Sequence, residues 1–215
     1  MFVMPSFQKL VILFTRYPRA GKCKSRLIPA LGAEGALNIH KQLVSHILQR
    51  MENFTKPSTD TTLSIFHTGG SKQQILEWLG LNRSCQPQEG EDLGERMAKA
   101  LEWGLEKNQN TILIGSDCPD IDAALLQRGF QLLEKNDIVI GPAHDGGYYL
   151  IGVNAALDPA VCKKLFINIP WGSDTVFAKT AALAETLGLH TQILSKLHDI
   201  DTEDDLQYFH HCSHA

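Results

Sequence analysis

Apolar runs of four to six residues alternate along the chain with stretches where apolar positions recur every three or four residues. The first run, Leu10-Val-Ile-Leu-Phe14, reads as a buried parallel strand. Leu37, Leu43, Val44, Ile47, Leu48 and Met51 then predict a helix of about Ala33 to Met51. Thr61 to His67 is β-rich and ends at Gly69-Gly70, after which Ser71 is an N-cap candidate for a short helix stopping at Gly80. Leu93, Met97, Leu101 and Leu105 mark another helix, with Asp92 near its start. Thr111 to Gly115 is the next strand, and Asp120 or Asp122 can cap the helix that follows to about Lys135. Asp137 to Gly141 and Tyr148 to Val153 are two strands joined by a Gly-rich connection. Ser173 can cap a helix from Asp174 to Leu187, closed by Gly188. A last strand near Thr191 to Leu194 precedes Thr202-Glu-Asp-Asp205, a weak capping-box match.

Strands alternating with helices of this length predict a mostly parallel sheet covered on both faces. The connection from Gly141 to Tyr148 is too short for a helical crossover, so one antiparallel or edge pairing should interrupt the parallel order. With no repeat, low-complexity tract or linker, the 215 residues are expected to form one domain.

Composition narrows the class more than the function. A hydrophobic content of 43% with 20% charged residues is that of an ordinary globular protein. A pI near 6.1 argues against a general nucleic-acid binder. No apolar run approaches the ~20 residues of a membrane span, and Met1 to Leu10 lacks the layout of a signal peptide. Five cysteines, odd in number and without C-x-x-C spacing, suit a reducing cytoplasm and not a structural zinc site. His210, His211 and His214 sit where tail fraying explains them better than metal binding.

Charge changes the picture. Arg16, Arg19, Lys22, Lys24 and Arg26 fall within eleven residues after the first strand, and no acidic residue appears before Glu34. The chain carries a net −4, so this one segment opposes the charge of all the rest. Cations on a loop at the carboxyl end of a strand lie where open α/β sheets bind ligands, which points to an anion and most simply a phosphate. A solvated basic loop explains the same charges without a ligand. No Walker A loop is present, since Gly21-Lys22 is followed by Cys23, and no G-x-G-x-x-G occurs. Side chains would therefore supply the charge, Arg as a fork and Lys as a point.

Three further elements carry candidate chemistry. Asp117 follows the strand Thr111 to Gly115 on a turn fixed by Pro119, where a carboxylate is costly unless paired or metal-bound. Mg²⁺ commonly takes one or two carboxylates plus substrate phosphates, while a turn residue bonding its own backbone is the alternative. Asp145-Gly146-Gly147 can bring a backbone close to a ligand or form a tight hairpin. Asp199 and Asp201 lie on alternate positions ahead of the last helix, and capping explains one of them but not both.

Arg16-x-Pro18-x-x-Gly21-Lys22-x-Lys24-Ser25-Arg26-Leu27, Gln88 to Met97, Gly115-Ser-Asp-Cys-Pro119, Asp145 to Gly152, Trp171-Gly-Ser-Asp174 and Asp199-Ile-Asp-Thr202 together resemble the DUF2064 group. That glycosyltransferase-like group is similar to the phospholactate/phosphoenolpyruvate guanylyltransferases. The resemblance spans Leu10 to about Tyr208. It implies a three-layer α/β/α domain of the nucleotide-diphospho-sugar transferase (GT-A) kind, mostly parallel with an antiparallel element. It also implies a nucleotide over the first half of the sheet and a divalent metal, Mg²⁺ or Mn²⁺, on Asp117 and Asp201. By the same resemblance Gln88, Gly94 and Arg96 border the nucleotide base, and Gly146, Gly147 and Ser173 belong to the ligand-binding set. The chain departs from the pattern in having Asp117-Cys-Pro-Asp120 in place of D-x-D, and it lacks an L-x-G-G start. The expected function is a metal-dependent transferase with a nucleotide donor and a small-molecule acceptor. It would move a glycosyl group from a nucleotide-sugar or, alternatively, a nucleotidyl group onto a phosphorylated acceptor. Lys24, Asp117 and Asp145 are the candidate catalytic residues, Asp145 as an acceptor base in the glycosyl-transfer version. A non-catalytic nucleotide-binding protein on the same fold is the rival from another class.

Overall fold

In the computed structural model, which describes residues 9–55, 59–80 and 84–212, the first apolar run forms β1 (Lys9–Arg16). Then follow α1 (Ile28–Met51), β2 (Thr61–Thr68), α2 (Lys72–Leu79), β3 (Ser84–Pro87), α3 (Leu93–Leu105), β4 (Asn110–Ile114) and α4 (Ala123–Leu133). The remainder is β5 (Ile138–Pro142), β6 (Tyr148–Val153), α5 (Pro159–Lys164), α6 (Val176–Thr186), β7 (Thr191–Ile193) and α7 (Leu206–Cys212). One sheet holds all seven described strands in the order β3-β2-β1-β4-β6-β5-β7. β6 runs antiparallel to both β4 and β5, and every other pairing is parallel. The antiparallel element is thus a strand in the sheet interior, reached through the 143–147 turn.

β1 is apolar on both sides, with Leu10, Val11, Ile12 and Leu13 at most 1% exposed, because helices cover both faces. Val11 and Leu13 face a cluster with Val44, Ile47 and Phe130, while Leu10 and Ile12 face one with Met97, Leu101 and Phe166. Alternate residues of one strand therefore serve two half-cores, the three-layer arrangement the pattern implies.

Several boundaries differ from the pattern for local reasons. β1 extends to Arg16, which is its last residue and not part of the loop. α1 starts earlier, at Ile28 with Pro29 in its first turn, and kinks at Gly32 (φ 70°, ψ 171°), so its apolar periodicity is legible only beyond the kink. Asp122, not Asp120, caps α4, its carboxylate accepting from the Leu125 amide at 2.8 Å. Ser173 does not cap α6, which begins after Thr175; the Ser173 hydroxyl instead accepts from the Thr175 amide at 3.3 Å. β3 and α5 escape the pattern because four and six residues are too few for periodicity to show. Asp205 completes half of the expected capping box, accepting from the Asp201 and Thr202 amides. Residues 1–8 and His214 lie outside the described residues, so the readings of the N-terminal segment and of that histidine do too.

Candidate functional site

The carboxyl ends of β1, β2, β4 and β5 and the beginning of β6 open on one cleft of about 790 Å³. Its walls come from the β1–α1 loop, the 115–118 turn after β4, the 143–147 turn, the 171–176 segment before α6 and the chain after β7.

Lys24 is the most constrained residue of the cleft. Its backbone is left-handed (φ 50°, ψ 49°), a conformation that costs a non-glycine residue about 1 kcal/mol or more. The turn delivers the side chain inward, where it is 4% exposed. Nζ lies 2.6 Å from Asp117 Oδ1 and 3.8 Å from Asp201 Oδ1. Neither contact has hydrogen-bond geometry, so the ammonium is ion-paired but without a directed acceptor. Arg26 also reaches Asp201, donating to Oδ2 at 2.7 Å from a largely exposed position. The two carboxylates are brought together by backbone as well: the Ile200 amide donates to the Asp117 carbonyl at 2.9 Å.

Arg16 donates to the Lys22 carbonyl at 3.0 Å and so folds the loop onto the strand end. His40, buried on α1, fixes the same place through a 2.9 Å contact between Nε2 and the Arg16 carbonyl. Burial lowers its pKa, so the ring holding this strand end is neutral at pH 7. Of the five cations, Arg16, Lys22, Lys24 and Arg26 line the cleft and Arg19 does not.

The carboxylates come from the other half of the sheet. Asp145 accepts from the Gly147 amide through Oδ1 at 2.8 Å. Asp199 is half-buried, and burial, with Asp145 and Asp201 nearby, pushes its carboxyl up to about 6. Asp117, Asp145, Asp199 and Asp201 all line the cleft.

The other sequence candidates divide cleanly. Gln88, Gly147 and Ser173 line the cleft; Gly21, Gly94, Arg96 and Gly146 do not. Gln88 donates through Nε2 to the Thr15 and Phe66 carbonyls at 3.2 and 3.0 Å, which pins the chain after β3 to the sheet. Arg96 is turned away from the cleft and clamps the preceding loop, Nε donating to the Gly90 carbonyl at 2.9 Å. Gly94 lies behind the wall, where a Cβ would sit 2.8 Å from the Trp171 indole. Gly146 (φ 91°) packs on the 171–176 segment, its carbonyl accepting from the Phe177 amide at 2.9 Å. Gly21 (φ 74°) shapes the basic turn. His40 gave little signal in the sequence, being one polar position on an apolar helix face, and Trp171 entered only as the first residue of the Trp171-Gly-Ser-Asp174 motif, with no role assigned. Asp199 showed only as the second of two alternating carboxylates.

Among the described residues, no three His, Cys, Asp or Glu side chains form a ready metal cage. Asp117 and Asp201 do converge, since both contact the one ammonium, and both are partly exposed. Two hard oxygen donors with solvent access fit Mg²⁺ or Mn²⁺, which keeps its other positions for water and phosphate oxygens.

The 2-phospho-L-lactate guanylyltransferase of Methanobrevibacter smithii is 24% identical over 190 residues, 86% of this chain and 77% of that one. A crystal structure from Desulfovibrio desulfuricans G20, provisionally named a nucleotide-diphospho-sugar transferase, is 31% identical, with a TM-score of 0.84 over 94% of this chain and 86% of that one. Rv0371c of Mycobacterium tuberculosis H37Rv, solved with manganese, shares the fold at 14% identity, with a TM-score of 0.51 over 93% of this chain and 97% of that one. The seven-stranded sheet is that of the nucleotide-diphospho-sugar transferases. Residues 38–173 match the family model DUF2064, described as an uncharacterized protein conserved in bacteria, and the chain belongs to that family.

Proposed function

We propose that this chain is an enzyme that binds a nucleoside triphosphate through the basic loop and transfers its nucleotidyl group to a small acceptor, with Mg²⁺ or Mn²⁺ held by Asp117 and Asp201. The observation that carries this reading is Lys24, an ammonium 4% exposed at the floor of the cleft, strained in its backbone and without a directed acceptor. Phosphate oxygens supply acceptors of the right charge. Arg16, Lys22 and Arg26 add three more cations along the same wall, suited to the charge of a triphosphate. The guanylyltransferase relative and the manganese-bound neighbour support nucleotidyl transfer and a divalent ion respectively.

The chain's own residues would act as follows. An acceptor oxygen attacks the α-phosphorus in line while the bond to the departing pyrophosphate breaks. Lys24, Arg16 and Arg26 stabilise the charge that builds on the leaving phosphates. The metal, when bound, would neutralise the phosphates and polarise phosphorus–oxygen bonds. Gln88 and the loop clamped by Arg96 border the base, Gly94 supports Trp171, and Gly147 and Ser173 face the acceptor. Four buried free cysteines, Cys23, Cys85, Cys118 and Cys162, support a reducing, cytoplasmic setting.

Glycosyl transfer from a nucleotide-sugar is the second reading. It is favoured by Asp145 as an acceptor base and by the Desulfovibrio relative. Product analysis decides between the two. Incubation with Mg²⁺, each triphosphate or nucleotide-sugar and a pool of small acceptors should release pyrophosphate from a triphosphate. Release of a nucleoside diphosphate from a nucleotide-sugar alone would replace the first reading with the second.

A further inference from the structure

The charges of the cleft are sorted by the topology of the sheet. Every lysine and arginine that lines it comes from the end of β1 or the loop after it: Arg16 is the last residue of the strand, and Lys22, Lys24 and Arg26 follow in the loop. Every carboxylate that lines it comes from the β4-β6-β5-β7 half: Asp117 after β4, Asp145 in the turn into β6, Asp174 before α6, and Asp199 and Asp201 after β7. Lys24 stands at the boundary, against Asp117 and Asp201. An anionic donor uses the whole cationic side. What remains for the acceptor is a wall with Asp145 and Asp174, Trp171 and no cation.

Trp171 gives that wall its second property. It is half-buried, meets Tyr148 edge-on at 6.5 Å, stacks on Phe166 at 6.4 Å and is backed by Gly94. Its remaining surface is an apolar plate beside carboxylates. Carboxylates accept hydrogen bonds from hydroxyl groups, and an indole covers the C–H face of a ring or chain. A second phosphate or carboxylate at this wall would meet like charge without compensation.

We infer that the acceptor is a neutral polyhydroxyl compound, such as a sugar or polyol, which attacks through a hydroxyl group and not through a phosphate or carboxylate. This rests on the reading of the cleft as a nucleotide-donor transferase site. A hydroxyl nucleophile must lose its proton, whereas a phosphate acceptor is already ionised, and the wall supplies a base. Asp145 is exposed in the cleft and has Oδ1 engaged by the Gly147 amide, which fixes the carboxylate. In the step, the acceptor oxygen forms a bond to the α-phosphorus and its proton passes to Asp145 Oδ2. The bond from phosphorus to the bridging oxygen breaks, and pyrophosphate leaves with the electron pair.

The test is a calorimetric titration of the full chain in two stages. A non-hydrolysable triphosphate with Mg²⁺ is added first; inorganic phosphate is then titrated into the saturated complex. The inference expects saturable binding in the first stage and no saturable phosphate binding in the second. Saturable phosphate binding to the nucleotide-loaded protein would overturn it and leave the donor reading standing. Absence of nucleotide binding in the first stage would instead remove the donor reading, and the acceptor class with it. Mass spectrometry of reactions with mixed acceptors adds a direct arm. Transfer to neutral polyols or sugars supports the inference, and transfer to a phosphorylated or carboxylated acceptor overturns it. Asp145→Asn should retain nucleotide binding and lose at least tenfold in transfer, with the loss smallest at high pH where hydroxide can replace the base.

Discussion

Lys24 concentrates the account in one residue, because its backbone strain and its buried charge have the same cause. The left-handed turn turns the ammonium inward, against Asp117 and Asp201. Asp117→Asn should therefore leave the ammonium poorly compensated and reduce the stimulation of nucleotide binding by Mg²⁺, which a thermal-shift series with and without the metal would detect. Unchanged stimulation would take Asp117 out of the metal site. Asp199 makes a separate prediction. Its folded pKa, about 6, stands above its ordinary 3.8, so the folded state holds the proton more tightly than the unfolded chain. Its effect on stability is favourable below pH ~4 and is lost progressively as pH rises through about 6. In metal-free buffer, Asp199→Asn should melt higher than the parent at pH 7.5 and close to it at pH 4. Equal melting temperatures at pH 7.5 would show that the carboxylate is not strained.

The elements that carry the site are ordinary in how they are built. α4 owes its start to Asp122, which also receives Arg50 of α1 at 3.1 Å. Asp122→Ala should cost about 1 kcal/mol, seen as a lower urea midpoint with unchanged slope. The helix α3 has a tighter constraint, for Gly94 leaves room for the Trp171 indole. Gly94→Ala should destabilise by about 1–3 kcal/mol through overpacking, and Trp171→Phe in the same chain should recover part of the loss. Additive losses in the double variant would mean that the two residues do not share a contact. Much of this level was legible in the chain. The β1 run, the caps Ser71 and Asp92 and the β5–β6 hairpin follow from apolar spacing and short polar side chains. The start of α1 was not, because the kink at Gly32 breaks the period, nor was the four-residue β3, whose burial is decided by β2 beside it.

At the scale of the molecule, a sheet with one reversed strand brings a cationic loop and five distant aspartates to one edge. The charge run and the carboxylates after β4 and near the chain end could be read one by one from the sequence. Their meeting came only through the family resemblance, which sets Asp117 and Asp201 at one metal, because the order β1-β4-β6-β5-β7 is a property of long-range pairing. Arg96 illustrates the limit: the resemblance sets it beside the nucleotide base, but the fold shows its guanidinium spent on the Gly90 carbonyl. The central claim is that the buried Lys24 ammonium is there for phosphate. Calorimetric titration of a Mg²⁺-triphosphate into the parent and into Lys24→Met tests it most directly. Loss of one charge-assisted hydrogen bond should weaken binding by about 1.5–3 kcal/mol, roughly tenfold or more, with the fold intact by circular dichroism. Equal affinity of the two proteins for the nucleotide would contradict the account.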